Sequence, residues 1–138
     1  AGTTTTNFPI GVGLGSSFDR ELVREIGLAV GTETRIKTNH FLKKGLFGGE
    51  VGLVAVAPQL NLARDARWGR TQETFSEDPF HAGVLGAAYI AGLRGNRSGQ
   101  YLVVPAPKVS PAGPQCIHRY TCLKRLVLSA ALRRARRA

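Results

Sequence analysis

The sequence predicts an α/β fold, in which the strands of a parallel sheet alternate with helices. Residues 51–57 form an apolar, β-branched run with the length of a buried strand, and residues 101–104 form a second, shorter one. Two longer stretches carry apolar residues at helical spacing, one on each side of the first run. Strands separated by helices are typical of a parallel sheet with helical crossovers. The 138 residues are enough for one ordinary domain with a core.

The first predicted helix runs from about Asp19 to Arg35, with capping side chains supplied by residues 16–19. Its apolar residues fall on one stripe and its charged residues on the opposite, solvent-facing side. The stripe consists of Leu22, Val23, Ile26 and Val30, and the charged side of Arg20, Glu21, Arg24 and Glu25. Glycines at 45, 48 and 49 predict a loop over Asn39–Gly49, where His40 is expected to lie on the surface. The glycine run at 11–15 is too weak a signal to predict a phosphate-binding loop.

A loop rich in charge follows the strand Val51–Ala57. It contains Arg64, Asp65, Arg67, Arg70, Glu73 and Trp68, the single tryptophan of the chain. Such a loop presents polar chemistry at the carboxyl end of a sheet, but mutual ion pairing is the simpler explanation of its charges. The second predicted helix begins at Ser76–Pro79, where acidic residues suit the helix dipole and proline suits the first turn. Its core-facing stripe is Phe80, Val84, Leu85, Ala88 and Leu93, ending at Gly95.

The segment Asn61–Pro79 closely resembles a signature of glycoside hydrolase family 3, N-x-x-R-D-P-R-W-G-R-x-x-E-x-x-x-E-D-P. Ala66 replaces the usual proline, which reduces loop rigidity without touching chemistry. The family contains retaining β-glucosidases and β-xylosidases with an amino-terminal (β/α)8 TIM-barrel domain. The resemblance implies an additional strand near Ile10–Leu14 and therefore about three βα units. Because a closed barrel takes about 250 residues, the chain is expected to form only a partial barrel.

The resemblance also implies which residues contact sugar. Arg70 corresponds to a family residue that reaches the sugar at the non-reducing end, and a guanidinium suits vicinal hydroxyls. Lys108 corresponds to the lysine of a Lys-His pair, although Val109 stands where histidine is expected. Trp68 is a candidate for stacking on a sugar or for the core. The remaining signature residues are expected to be structural: Arg64, Asp65, Arg67, Glu73, Glu77 and Asp78.

No catalytic residue is expected in this chain. Retaining glycosidases use two carboxyl groups, about 5–5.5 Å apart, and the family supplies them from a later strand and a second domain. The resemblance therefore implies a substrate with β-linked glucosyl or xylosyl residues, no cofactor, and partners in the missing remainder of the barrel and second domain. The chain alone is expected to be inactive.

The sequence divides into residues 1–114, which resemble the family, and a basic tail at 115–138 that does not. The net charge is +10, and the tail contributes seven basic residues and no acidic one. Two explanations remain open, a shifted reading frame near Lys108, which we favour, or a basic amphipathic helix. The second gives an alternative function, a binding module for nucleic acid or an anionic membrane.

The tail also holds Cys116, Cys122 and His118, too few ligands for a structural zinc site, and a disulfide is possible but not required. No apolar run is long enough for a membrane span. No secretory signal is visible in the first residues of the sequence, so the localisation stays open.

Overall fold

The computed structural model describes residues 4–48, 51–95 and 100–108. The elements are α1 (Gly11–Gly15), α2 (Arg20–Lys43), β1 (Val54–Ala55), a 3₁₀ turn (Thr71–Glu73), α3 (Pro79–Arg94) and β2 (Val104–Pro105). The two strands are parallel, with Val54 opposite Val104, and the chain between them passes through α3. This mixed arrangement agrees with the α/β class. The described residues contain two strands rather than three and form no barrel.

The strand implied near Ile10–Leu14 is wrong, because this stretch forms the short helix α1. Residues four apart lie on the same face of a helix, and this places Gly11 and Gly15 together against the chain at residues 73–75. A Cβ atom at Gly11 would lie 2.3 Å from the carbonyl oxygen of Glu73. One at Gly15 would lie 1.7 Å from the carbonyl oxygen of Phe75. The alternating glycines therefore serve close backbone packing rather than a pleated strand.

Helix α2 begins as predicted and ends later. Asp19 is its N-cap, and one carboxylate oxygen accepts hydrogen bonds from the backbone N–H groups of Glu21 and Leu22 at 2.9 and 3.0 Å. The predicted end at Arg35 is wrong, because the helix continues to Lys43 and includes the first residues of the predicted loop. Residues 32–44 contain neither glycine nor proline, so the first residue able to end the helix is Gly45, which has φ 70°.

Helix α3 confirms the predicted start. The two carboxylate oxygens of Asp78 accept hydrogen bonds from the N–H groups of Phe80 and His81, and Pro79 occupies the first turn. The predicted stripe is buried at Leu85, Ala88 and Leu93. Phe80 is an exception, since its side chain is 72% exposed. It lies in the first turn on the side away from the buried Ala82, since residues two apart point in nearly opposite directions on a helix.

Helices α2 and α3 pack closely because glycines replace side chains where they cross. A Cβ atom at Gly92 would lie 2.1 Å from the carbonyl oxygen of Arg24. Gly27 and Gly31 of α2 make similar approaches to the backbone of α3. Around this crossing lies the main core, which consists of Leu14, Val23, Ile26, Phe75, Leu85 and Ala88. The core thus ties both helices to the end of the charged loop at Phe75.

The sheet is shorter than predicted, because β1 covers two of the seven residues expected at 51–57 and β2 begins at Val104. Proline ordinarily opposes pairing within a sheet because it lacks an N–H group, but Pro105 is paired with Ala55. The N–H groups of Val104 and Ala106 donate to β1 at 2.8 and 2.7 Å. Since alternate residues donate to the same neighbour, the N–H that Pro105 lacks belongs to the other side of the strand. No helix in the described part of the chain is long and apolar enough to cross a membrane.

Candidate functional site

Three separate segments meet just beyond the carboxyl ends of β1 and β2. Gln59 forms parallel bridges to Thr74 on one side and to Lys108 on the other. The backbone of Lys108 is held twice, since its N–H donates to the Pro58 carbonyl at 2.8 Å and its carbonyl accepts from Leu60 N–H at 3.0 Å. This pairing places the 3₁₀ turn next to residue 108. The carboxyl edge of the sheet is where α/β proteins bind ligands.

At this edge Glu73 binds two cations, and the three side chains are called the Glu73 cluster (Arg70, Glu73 and Lys108). Arg70 donates from Nε to Oε1 at 2.6 Å and from Nη2 to Oε2 at 2.7 Å. Lys108 approaches the same Oε2 with its Nζ at 2.9 Å. Each of the three side chains is about one-third exposed. The cluster is therefore well ordered by ion pairing and still open to solvent.

Ion pairing in the Glu73 cluster favours the charged forms of Glu73 and Arg70. The hydrogen bond from Arg70, and next the one from Lys108, lower the pKa of Glu73 to about 2. In turn the Glu73 carboxylate raises the pKa of Arg70. Glu73 is consequently an anion at any ordinary pH. Such a carboxylate holds cations in place and is a poor general acid.

A second ion pair in the same loop is more exposed. Arg67 donates to Asp65 from Nε at 3.0 Å and from Nη2 at 2.7 Å, and its backbone N–H donates to the same carboxylate at 2.9 Å. The guanidinium is 89% exposed. These hydrogen bonds lower the pKa of Asp65 and raise that of Arg67. The pair closes a tight turn and lies apart from the Glu73 cluster.

The signature residues thus divide between two ion pairs and a helix cap. Asp65 pairs with Arg67, Glu73 pairs with Arg70, and Asp78 caps α3. Glu77 is exposed beside that cap, and Arg64 is an exposed residue with interactions of its own. The predicted mutual pairing is therefore correct for Asp65 with Arg67. Glu73 instead serves Arg70 and Lys108, the two residues for which sugar contacts are expected.

Trp68 lies in the turn between the two ion pairs and is partly buried. Its backbone N–H donates to the Asp65 carbonyl at 3.1 Å. Its backbone carbonyl accepts from the Thr71 N–H at 3.1 Å and from the Thr71 hydroxyl at 2.8 Å. The Thr74 hydroxyl continues this pattern by donating to the Thr71 carbonyl at 2.7 Å. The indole does not belong to the buried core clusters. Its backbone is fixed while part of its ring surface is exposed.

Gln59 is a residue of this site that the sequence did not single out. Its amide oxygen and nitrogen are both buried, and neither has a hydrogen-bond partner among the described residues. A buried amide without partners is costly. The available signal was a glutamine directly after an apolar strand, between Pro58 and Leu60, where an apolar residue would ordinarily be expected.

The arrangement offers hydrogen-bond donors rather than acid–base chemistry. The Arg70 guanidinium and the Lys108 ammonium group act only as hydrogen-bond donors. Those of their hydrogens that do not bind Glu73 can donate to hydroxyl oxygens of a ligand. Hydrogen bonds from arginine side chains lower the pKa of both Asp65 and Glu73 in this loop. The described residues include no group of three or more His, Cys, Asp or Glu side chains that could hold a metal ion. The cluster can therefore bind a ligand through hydrogen bonds that it donates.

The chain is similar in sequence to known proteins of one family. The model of the glycosyl hydrolase family 3 N-terminal domain matches residues 1–112. β-D-Xylosidase 1 of Arabidopsis thaliana is 41% identical over 101 residues, which cover 73% of this chain and 12% of that protein. Xylan 1,4-β-xylosidase of Xylanibacter ruminicola is 36% identical over 99 residues, covering 70% and 11%. A probable exo-1,4-β-xylosidase of Aspergillus terreus is 42% identical over 89 residues, covering 64% and 11%.

The chain therefore spans only about a tenth of the length of these curated relatives. No solved structure matches it significantly. The family match ends at residue 112, and the basic tail at 115–138 lies outside the described residues, as do Val109, Cys116, His118 and Cys122.

Proposed function

This chain belongs to glycosyl hydrolase family 3, and on that premise we propose that it is a segment of an enzyme that releases terminal β-D-xylosyl residues from glycosides. The choice of xylose over glucose is supported by relatives named as xylosidases that are 36–42% identical to this chain. β-D-Glucosyl residues are the neighbouring possibility. The proposed substrate is a β-linked oligosaccharide or simple glycoside.

The observation that carries the proposal is the convergence of Arg70 and Lys108 on Glu73. These two residues are distant in the sequence, and yet both bind the same carboxylate at the carboxyl edge of the sheet. Each keeps hydrogens that Glu73 does not use. We propose that these hydrogens donate to hydroxyl groups of the sugar at the non-reducing end, with the exposed part of Trp68 providing an apolar surface for the ring.

In this proposal residues 1–114 form part of a (β/α)8 barrel, the rest of which lies outside this chain. The two parallel strands and the crossover through α3 are compatible with one βα unit and the strand that follows it. Val54 and Val104 of the sheet, and Val56 just after β1, are exposed. Further strands of a barrel would cover them.

Hydrolysis is proposed to need carboxyl groups outside the described residues. A retaining mechanism uses one carboxylate as nucleophile and one carboxylic acid as proton donor. Asp65 and Glu73 have lowered pKa values, so both are deprotonated near neutral pH and neither is suited to donate a proton. The chain alone is therefore expected to bind sugar weakly and to leave an aryl β-xyloside intact. The alternative of a binding module acting through the tail finds no support among these observations.

The test is a titration of this chain with methyl β-D-xyloside, followed by NMR, in the wild type and in the Arg70→Ala variant. We expect weak binding by the wild type and none by the variant. The matched control is Arg67→Ala, which removes the other paired guanidinium of the same loop. Equal binding by all three proteins, or loss of binding in the control alone, would contradict the proposal. Methyl β-D-glucoside, titrated in parallel, tests the preference for xylose.

A further inference from the structure

The guanidinium of Arg70 has two edges with paired donors, and the structure shows which one is occupied. Nε and Nη2 both donate to Glu73. A guanidinium carries five N–H groups, so three hydrogens remain, two on Nη1 and one on Nη2. The remaining hydrogen of Nη2 and one hydrogen of Nη1 form the edge that does not face Glu73. The edge suited to vicinal hydroxyls is therefore the outer one.

Lys108 approaches Oε2 of Glu73, the same oxygen that accepts from Nη2 of Arg70. Two cations held at one oxygen repel each other, and the carboxylate between them offsets this repulsion. The partners are also fixed through their backbones. Glu73 lies in the 3₁₀ turn, where its N–H donates to the Arg70 carbonyl at 3.1 Å, and Lys108 is paired on both sides of its peptide with residues 58 and 60.

We propose that Glu73 is a positioning residue, which contacts no sugar itself but presents the outer edge of Arg70 and the Lys108 ammonium group to the same ligand. This inference rests on the proposed function for the identity of the ligand. It assigns to Glu73 a role beyond support of the loop. Partly exposed ion pairs contribute little to stability, so the fold should persist when such a pair is broken. If the ion pairs of Glu73 only supported the loop, their loss would therefore leave sugar binding unchanged.

The charge of Glu73 is the property that matters in this account. With a glutamine at this position the side chain keeps its shape, but it cannot neutralise two cations, so Arg70 and Lys108 move apart. An aspartate keeps the charge and is shorter by one methylene, so it retains one of the two contacts. The low pKa of Glu73 means that the carboxylate stays charged at every pH at which a sugar would be bound.

The experiment compares the wild-type chain with Glu73→Gln, Glu73→Asp and the control Asp65→Asn, which removes the other carboxylate that binds an arginine through two hydrogen bonds. The first readout is the Nε–H signal of Arg70 by NMR, which is shifted and protected from exchange with water when it donates to a carboxylate. The second is the affinity for methyl β-D-xyloside. Unfolding temperatures are measured in parallel.

For Glu73→Gln we expect loss of the protected Nε–H signal and about tenfold weaker binding, since charge-assisted hydrogen bonds orient the donors. Glu73→Asp should keep part of the protected Nε–H signal and part of the affinity. Asp65→Asn should leave the signal and the affinity as they are in the wild type. If Glu73→Gln unfolds, Glu73→Asp takes its place in the comparison, and the expected result is then a partial loss of the protected signal and of affinity relative to the wild type.

An unchanged Arg70 signal in Glu73→Gln, or an unprotected one in the wild type, would overturn the inference. So would equal loss of affinity in Glu73→Gln and Asp65→Asn. A wild-type chain that holds Arg70 through Glu73 and yet binds no xyloside would refute the proposed function. The Arg70 Nε–H signals of the wild type and of Glu73→Gln would still decide whether Glu73 positions Arg70.

Discussion

The helix pair and the charged loop of this chain are built on opposite principles. Helices α2 and α3 meet where side chains are absent, at Gly27, Gly31 and Gly92, and their contact depends on shape. The loop over residues 57–78 is held by long charged side chains that remain partly exposed. Shape-dependent contacts stabilise the fold strongly, whereas exposed ion pairs contribute little to stability and can serve binding. Substitutions in the two regions should therefore differ in which property they change.

The largest effect on stability is expected from Gly92→Ala. The added Cβ atom would meet the Arg24 carbonyl oxygen at 2.1 Å and the Leu28 nitrogen at 2.7 Å, both of them backbone atoms that cannot rotate away. We expect a loss of about 3 kcal/mol in the free energy of unfolding, measured by urea denaturation. Gly83→Ala is the matched control in the same helix, because nothing lies within 4 Å of its Cβ position. It should gain about 0.5–1 kcal/mol from helix propensity. Equal stabilities for the two variants would show that the helices do not cross here.

A smaller effect is expected at the junction of the two regions, where Asp78 ends the loop and caps α3. Asp78→Ala leaves the N–H groups of Phe80 and His81 without their partner and should cost about 1 kcal/mol. Asp78→Asn should retain most of the stability, since asparagine caps comparably. The neighbouring Glu77→Ala is the control, and an equal loss there would argue against a specific cap.

The caps also illustrate what the sequence could predict. Asp19 and Asp78 both lie where local patterns placed helix starts, because a cap depends on residues two or three positions away. The end of α2 at Lys43 and the helical state of Gly11–Gly15 were missed. The second depends on the backbone at Glu73 and Phe75, which a local pattern does not contain. Local chemistry was predictable, and packing between distant segments was not.

The same limit applies to the site. The family resemblance, in the signature and in the later Lys-His region, identified Arg70 and Lys108 as candidates. The carboxylate between them follows from the pairing of Gln59 with both Thr74 and Lys108. The only signal at Gln59 was a polar residue directly after an apolar strand, and that signal does not show that its amide is buried and without a partner among the described residues. The pairing of Pro105 could not be predicted either, since the sequence does not show which side of a strand has a neighbour.

A still smaller effect on stability is expected from the titration of Glu73. Its pKa is about 2 in the folded chain and 4.5 for an ordinary glutamate. The unfolded chain therefore binds more protons in this range, so the stabilisation is present above about pH 4.5 and is lost as the pH falls towards 2. Because the side chain is one-third exposed, we expect less than about 1 kcal/mol. Urea denaturation at about pH 5 and about pH 3 should show this loss in the wild type and less of it in Glu73→Gln. The same loss in both proteins would assign it to other carboxylates.

The smallest effect on stability is expected from Asp65→Asn. The partner guanidinium of Arg67 is 89% exposed, and both groups are solvated after the ion pair is broken. The unfolding temperature should not change measurably. A clear decrease would show that the exposed pair supports the fold, and the contrast between the two regions would then fail.

The most direct test of the account is to map, by NMR, which backbone and side-chain signals of the wild-type chain respond to methyl β-D-xyloside. The account predicts responses at Trp68, Arg70 and Lys108 and in the segments around them, with the crossing of α2 and α3 unaffected. Responses confined to the helices, or a ligand that shifts no signal in the Glu73 cluster, would contradict the claim that this loop binds the sugar.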